Sequence, residues 1–258
     1  MKYYFTFDKT KKANIFKKSL LKRFKNYSPK KCDIIIVAGG DGFMLHSLKK
    51  FYKFKKPFYG VNCGTIGFLL NKVSINNFNK NIIRSKKINI NPLEIQSWNK
   101  NNIKHKNIAI NEVSLFRQSK QTTSLRIDIG NKSLIEKLIG DGVLVSTPAG
   151  STAYNYSAHG PILSLNSEKI AITSINAFRP RKWKSKIISN RLAINIKNLD
   201  FIKRPVAVTA DNIEIRNIKK VKIKTNKKIK INLLYNKDKS LIKKINIEKM
   251  INKRIKAN

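Results

Sequence analysis

Four consecutive apolar residues, Ile34-Ile35-Ile36-Val37, run through Ala38 into the turn Gly39-Gly40-Asp41-Gly42. An unbroken apolar run closed by glycines predicts a strand buried on both faces and ending at the turn. Upstream, Tyr3–Phe7 suits an opening strand and Thr10–Phe24 a helix. Downstream, Met44, Leu45, Leu48 and Phe51 fall on one side of a helix over Phe43–Tyr52, and Pro57–Val61 is a short strand. Strand, glycine turn, helix and strand make a βαβ unit, which predicts a parallel sheet with its ligand site at the carboxyl ends of the strands.

Near Lys87 the texture changes to Ile alternating with polar residues. The alternation predicts strands over Ile88–Ile95, Ile103–Phe116, Ser124–Ile129, Val143–Ser146, Arg191–Ile196, Val206–Thr209, Val221–Lys224 and Ile229–Leu234. Many short alternating strands imply a β-rich second domain, a sandwich. In the tail, Leu241, Ile242, Ile245, Met250 and Ile251 stand amid lysines, which suits a terminal helix over Ser240–Ile255. The expected organisation is an α/β domain over residues 1–86, a β-sandwich domain over 87–235 and a C-terminal segment over 236–258 that returns to the first domain.

Composition narrows the function classes. With 41% hydrophobic residues the chain can bury a core. Cys32 and Cys63 are too few for a disulfide framework and form no paired metal-ligand spacing. Residues 1–10 offer no apolar signal core, and the longest apolar run is far too short to cross a bilayer, so a cytoplasmic protein without membrane contact is expected. Lys+Arg 55 against Asp+Glu 14 gives a formal charge of +41, which by itself suggests a polyanion partner. The excess is mostly Lys, spread along the whole chain together with abundant Asn and Ile, a signature of A/T-rich codons. A recognition surface would gather Arg and aromatics in one stripe, so no specific nucleic acid is expected, only weak salt-dependent association.

Four segments carry chemistry. In Gly39-Gly40-Asp41-Gly42, glycines let backbone N–H groups approach phosphate oxygens, and the helix that follows favours an anion at its start. Asp41 would repel a phosphate, so it suits handling a proton or a metal; an ordinary turn with Asp as helix cap is the alternative. Asn62-Cys63-Gly64-Thr65-Ile66-Gly67-Phe68-Leu69 makes a second glycine loop with a side-chain amide at Asn62. Asn111-Glu112 interrupts the apolar stretch Ile108–Phe116, so one of the pair needs a polar partner, unless both face solvent at a strand end. The densest segment runs Gly140-Asp141-Gly142-Val143-Leu144-Val145-Ser146-Thr147-Pro148-Ala149-Gly150-Ser151-Thr152-Ala153-Tyr154-Asn155-Tyr156-Ser157. Its small residues allow close approach of a flat ligand, Tyr154 can stack on a base, and the hydroxyls of Thr152 and Ser157 can bond ribose or phosphate. Capping and turn chemistry is the plainer reading of the same hydroxyls.

In order, spacing and residue type these segments, over roughly residues 33–162, resemble the NAD kinase family, and the Asp-Gly…Ser-Thr-Pro-x-Gly-Ser-Thr-Ala-Tyr string is highly specific to it. Phe43 after the glycine turn and Phe178-Arg179-Pro180-Arg181-Lys182-Trp183 downstream look like its alphaproteobacterial branch. The resemblance implies an α/β N-terminal domain, Rossmann-like or phosphofructokinase-like, joined to a C-terminal all-β sandwich. It implies ATP-dependent phosphorylation of the 2′-hydroxyl on the adenosine ribose of NAD, giving NADP, in a homodimer or homotetramer. ATP would be the donor with Mg²⁺, inorganic polyphosphate being a second possible donor, and no direct protein ligand to the metal is expected. Asp41 is implied as the catalytic base. Asn111 and Glu112 would bind the adenosine part, and Gly42, Asn62, Asp141, Ala149, Thr152, Ala153, Tyr154 and Ser157 would complete the NAD and ATP sites.

Three positions depart from the family pattern. Phe43 replaces a common Thr, His159 replaces a Gly of Ser-Ala-Gly-Gly-Pro, and Ile139-Gly140 stand where many members carry a basic residue for the product phosphate. Arg179, Arg181 or Lys182 could substitute there, against the plainer reading of a solvated basic run. Lipid kinases of the diacylglycerol and sphingosine type share Gly-Gly-Asp-Gly but lack the Thr-Ala-Tyr segment; they remain the alternative enzyme. A non-catalytic RNA-binding protein is favoured only by charge.

Overall fold

The structure is a computed structural model that describes residues 1–65, 67–236 and 244–246. Its chain divides into two compact units, one of Met1–Ile90, Ser164–Asn166 and the residues from Lys230 on, the other of Asn91–Leu163 and Ser167–Ile229. Among the described residues no helix is long and apolar enough to cross a membrane.

In the first unit, β1 (Tyr3–Phe7), α1 (Lys11–Arg23), β2 (Ile34–Gly39), α2 (Asp41–Phe51), β3 (Phe58–Asn62), α3 (Phe78–Arg84) and β4 (Lys86–Ile90) follow in order. Every residue of β2 is buried, which is why its sequence is apolar without alternation. β1, β2 and β3 are parallel. Thr10 starts α1 by accepting the amide of Ala13 on its hydroxyl, and Ala13 and Leu20 are the positions that helix buries. Tyr3, Phe5, Phe24 and Phe78 interlock edge to face and tilted in the core beside β1.

The fifth strand of this sheet, Ile231–Tyr235, inserts between β3 and β4, parallel to the former and antiparallel to the latter. Sequence alternation places it in the second domain, and that assignment is corrected here. Its buried residues Ile231, Leu233 and Tyr235 alternate as they would in any half-buried strand, so local pattern carries no record of the sheet it joins. The expected strand Ile88–Ile95 is likewise two, because Asn91-Pro92 divides β4 from β5 (Leu93–Asn99), and proline has no N–H for a ladder. The two units therefore meet at Ile90/Asn91 instead of at residue 86, and the first unit extends back to Lys230. The expected terminal helix over 240–255 lies outside the described residues except for Lys244, Ile245 and Asn246, which are helical.

In the second unit come β6 (Lys104–Ala109), β7 (Glu112–Arg117), β8 (Thr123–Ile129), β9 (Lys132–Gly140), β10 (Gly142–Ser146), α4 (Tyr154–Ser157), β11 (Lys169–Ile175), β12 (Lys186–Ser189), β13 (Ile194–Asn198), β14 (Val206–Ala210), β15 (Ile213–Ile215) and β16 (Ile218–Thr225); Ile231–Tyr235 is β17. They form two antiparallel six-stranded sheets, ordered β12-β11-β10-β7-β14-β15 and β6-β5-β16-β13-β8-β9. Val113, Leu115, Val143 and Val145 from one sheet share a core with Leu125, Ile127, Ile194 and Ile196 from the other, which makes a sandwich. The expected single strand Ile103–Phe116 is divided at Ile110-Asn111, so that β6 and β7 lie in different sheets. There the amides of Ile110 and Asn111 leave the ladders and donate to the Asp211 carboxylate, both at 2.8 Å.

The side chain of Asn71, 1% exposed, ties β17 to the rest of its sheet. Its amide donates to Gly60 O at 3.1 Å and Leu234 O at 3.0 Å, and its carbonyl accepts from Asn236 N at 3.0 Å. Truncation strands buried polar groups, so Asn71→Ala should cost about 2–3 kcal/mol in a denaturant melt. A loss under about 0.5 kcal/mol, the usual scale of a surface substitution, would contradict this.

Candidate active site

In the first unit the chain leaves the carboxyl end of β2, passes Gly40 as helix cap and opens α2 with Asp41. The Asp41 carboxylate does not cap its own helix. It accepts the main-chain amides of Phe68 at 2.8 Å and Leu69 at 3.1 Å, from the loop that follows β3. Burial pushes its pKa up, while those two amides and the Lys244 ammonium pull against the rise. Gly40 and Gly42 flank it with open space where a side chain would otherwise stand. Asn62, at the end of β3, turns its carbonyl onto Gly64 N at 2.9 Å and so shapes the start of the same loop.

Two residues that sequence reasoning missed complete this cluster. Tyr235 of β17 donates its hydroxyl to Phe68 O at 2.7 Å, and Lys244 donates to main-chain carbonyls of the loop. Neither had a local signal: the lysine is one of many, and the tyrosine closes an ordinary alternating strand.

The second unit holds the remaining predicted residues, two of which, Asn111 and Glu112, are arranged on another carboxylate. Asp211, in a left-handed conformation with φ 55, accepts from Ile110 N, Asn111 N and, at 3.3 Å, Glu112 N. That grip holds Asn111 in the bend between β6 and β7 and Glu112 at the first position of β7. Asn111 Oδ1 and Glu112 Oε2 are buried and without a hydrogen-bond partner within the protein, as expected of groups kept for a ligand. Burial, and after it the nearby Asp211, push the Glu112 pKa from 4.5 to about 7. Sequence reasoning also missed Asp211, which is a hundred residues from the pair it holds.

The loop carrying Ala149 and Thr152 docks on the same spot. Thr147 donates its hydroxyl to Ile110 O at 2.7 Å and accepts from Gly150 N at 3.1 Å. Gly150 lies so close to the main chain of Asn111 that any side chain there would collide with it. Ala149 and Thr152 are buried, Ala153 is half-buried, and Tyr154 and Ser157 are exposed at the rim of a cavity of about 690 Å³ that also involves His159, Asn176 and Trp183. Asp141 is paired with Arg117 at 2.6 Å and accepts from Asn176 Nδ2 at 2.8 Å. The Ile139-Gly140 position is edged by Arg179, whose main chain exchanges hydrogen bonds with Ile139, while the Arg179 and Arg181 guanidiniums lie over the Phe178 ring.

Comparison with known proteins adds to this geometry. Residues 3–85 match the ATP-NAD kinase N-terminal domain, and residues 110–228 match the ATP-NAD kinase C-terminal domain. An NAD kinase of Brucella suis is 37% identical over 231 residues, 90% of either chain. One from Xanthomonas oryzae is 40% identical over 88% of either chain. Among solved structures, yeast NADH kinase complexed with NADH superposes with a TM-score of 0.73 at 26% identity, covering 86% of this chain and 68% of that one. An NAD kinase from Archaeoglobus fulgidus in complex with ATP gives 0.72 at 20% identity, covering 92% and 94%, and shares the fold.

Two measurements follow from the second unit. Because the folded pKa of Glu112 is raised, its stabilising contribution is complete below about pH 4.5 and is lost as pH rises through about 7. Denaturation midpoints across that window should decline in the parent chain, and less in Glu112→Gln, which cannot ionise; parallel declines would refute the assignment. His159 holds φ 59, a conformation that glycine takes without strain. His159→Gly should therefore gain about 0.5–1 kcal/mol by calorimetry, whereas a loss would show that the imidazole contributes packing that outweighs the strain.

Proposed function

This chain belongs to the NAD kinase family, and from that premise we propose how its own residues carry out the transfer of a phosphoryl group from ATP to the 2′-hydroxyl of the NAD adenosine ribose. Asp41 accepts the proton of that hydroxyl. As the new O–P bond forms and the bond from the γ-phosphorus to the β,γ-bridging oxygen of ATP breaks, the proton passes to a carboxylate oxygen and ADP departs. The donor is ATP; a divalent cation accompanying it would supply charge neutralisation to the phosphates, and would be held by the nucleotide, since no cluster of metal-ligating side chains stands among the described residues.

A phosphoryl transition state is loose, so the protein contributes alignment and charge compensation more than covalent chemistry. An ordinary aspartate is too weak a base to ionise a ribose hydroxyl in advance. Proton acceptance is therefore late, and two features of Asp41 suit it. Burial raises its basicity, and the amides of Phe68 and Leu69 fix both oxygens while leaving each a lone pair. This fixed carboxylate in the glycine turn is the observation that carries the reading.

Asn111 and Glu112 recognise the adenosine part, their buried unpartnered oxygens finding partners on the ligand. Glu112, with a pKa near neutrality, can donate as well as accept at that contact. Asn62 and Gly42 belong to the phosphate end. Asp141, Ala149, Thr152, Ala153, Tyr154 and Ser157 line the dinucleotide site, where the small residues of the loop admit a flat ring and Tyr154 stacks on it. No observation favours a lipid acceptor or an RNA partner.

The test is conversion of NAD to NADP with ATP, using Asp41→Asn as control. Turnover should fall by about 10²–10⁴-fold, the span usual for loss of a general base, with NAD affinity by isothermal titration within about twofold of the parent. Loss of binding together with activity would mean that Asp41 holds the substrate instead of taking its proton.

A further inference from the structure

We propose that Lys244 is a positioning residue for the phosphoryl transfer, holding the loop that in turn holds Asp41. The inference rests on the reading of Asp41 as proton acceptor. It goes beyond the family comparison, since residues 229–258 fall outside both matched stretches.

Lys244 is 6% exposed. Its ammonium donates to three main-chain carbonyls of one short loop: Gly67 O at 2.7 Å, Phe68 O at 2.8 Å and Leu70 O at 2.6 Å. An ammonium has three N–H donors, and this loop offers an acceptor to each. The peptide units of Phe68 and Leu69 face the other way with their N–H groups, toward the two oxygens of Asp41. One loop thus receives a cation on its carbonyl side and a carboxylate on its amide side. Bonds on the two sides of a peptide unit reinforce each other, so the ammonium strengthens the same amides that orient Asp41.

The site is closed by aromatic packing. The ammonium lies 4.5 Å from the centre of the Tyr235 ring, whose hydroxyl donates to Phe68 O as well. Among the described residues, the charged or titratable groups whose fields couple to Asp41 are Lys244, from the C-terminal segment, and Tyr235, from β17. Tyr235 titrates far above neutrality, raised by burial and by Asp41 itself. Lys244 is therefore the group whose charge can be removed to move the acid side of the rate profile.

A lysine that served only to fill space would affect folding alone. Positioning makes a different pattern, read in Lys244→Met, Lys244→Gln and Lys244→Arg as kcat, KM for NAD and the pH dependence of kcat, next to Asp41→Asn. Lys244→Met should lower kcat at least about tenfold while KM for NAD stays within about twofold. Its acid limb should move to higher pH, because a lost cation leaves Asp41 harder to ionise. Lys244→Gln, with two donors and no charge, should lose less kcat but show the same displacement of the limb. Lys244→Arg, which keeps the charge, should leave the limb in place and recover part of the rate. If Lys244→Met does not fold, Lys244→Gln decides: an unmoved limb with parental kcat overturns the proposal. Full activity in Asp41→Asn would overturn the reading beneath it instead, so the two failures are distinguishable.

Discussion

The first unit depends on one carboxylate bound by two main-chain amides. Asp41 could have capped its own helix, the usual fate of an aspartate at such a turn. Its oxygens instead span to Phe68 and Leu69, which converts a local helix start into a link between two strand-end loops. Burying a carboxylate is costly unless hydrogen bonds compensate, and here they also fix its orientation. The loop can offer those amides because its carbonyls are themselves engaged by Tyr235 and Lys244. The order of cause runs from Lys244 and Tyr235 through the loop to Asp41.

The second unit solves a similar problem with the roles reversed. Asp211 takes up the amides of Ile110, Asn111 and Glu112, so the polar pair is held in place by a carboxylate about a hundred residues away in the chain. The close approach of Gly150 and the Thr147 hydroxyl then lock the small-residue loop to that turn. In both units a half-buried acid and a set of backbone groups define the local geometry. This explains why the segment reads as small residues and hydroxyls: bulk at Gly150 would displace Asn111 before it touched any nucleotide.

Much of this was legible in the sequence, for reasons that can be named. β2 and its glycine turn are local features, marked by an apolar run and by three glycines around one aspartate. Asn111-Glu112 stood out because polar residues interrupted an apolar stretch, and the Asp141–Ser157 string was dense enough to identify a family. What stayed hidden was long-range. Asp211, Tyr235, Lys244 and Asn71 each act on residues far away in the chain, and none differs in type or spacing from its neighbours. Lys244 in particular is concealed among 55 basic residues that codon drift has scattered everywhere. Strand membership failed for the same reason, because alternation in Ile231–Tyr235 reports burial on one face and nothing about the partner strand.

The place of β17 in its sheet has a consequence for how the molecule is made. Among the described residues β4 pairs with β17 alone, and β17 joins it to β3. On a ribosome, the first ninety residues emerge with a gap in their sheet, and the whole sandwich must be synthesised before the missing strand arrives to fill it. Until β17 is made β3 therefore stands as an open edge, and a chain interrupted before Ile231 lacks a completed sheet as well as the lysine behind the loop that holds Asp41. Completion of the first sheet is in this sense a late event, waiting on a strand encoded beyond the whole sandwich.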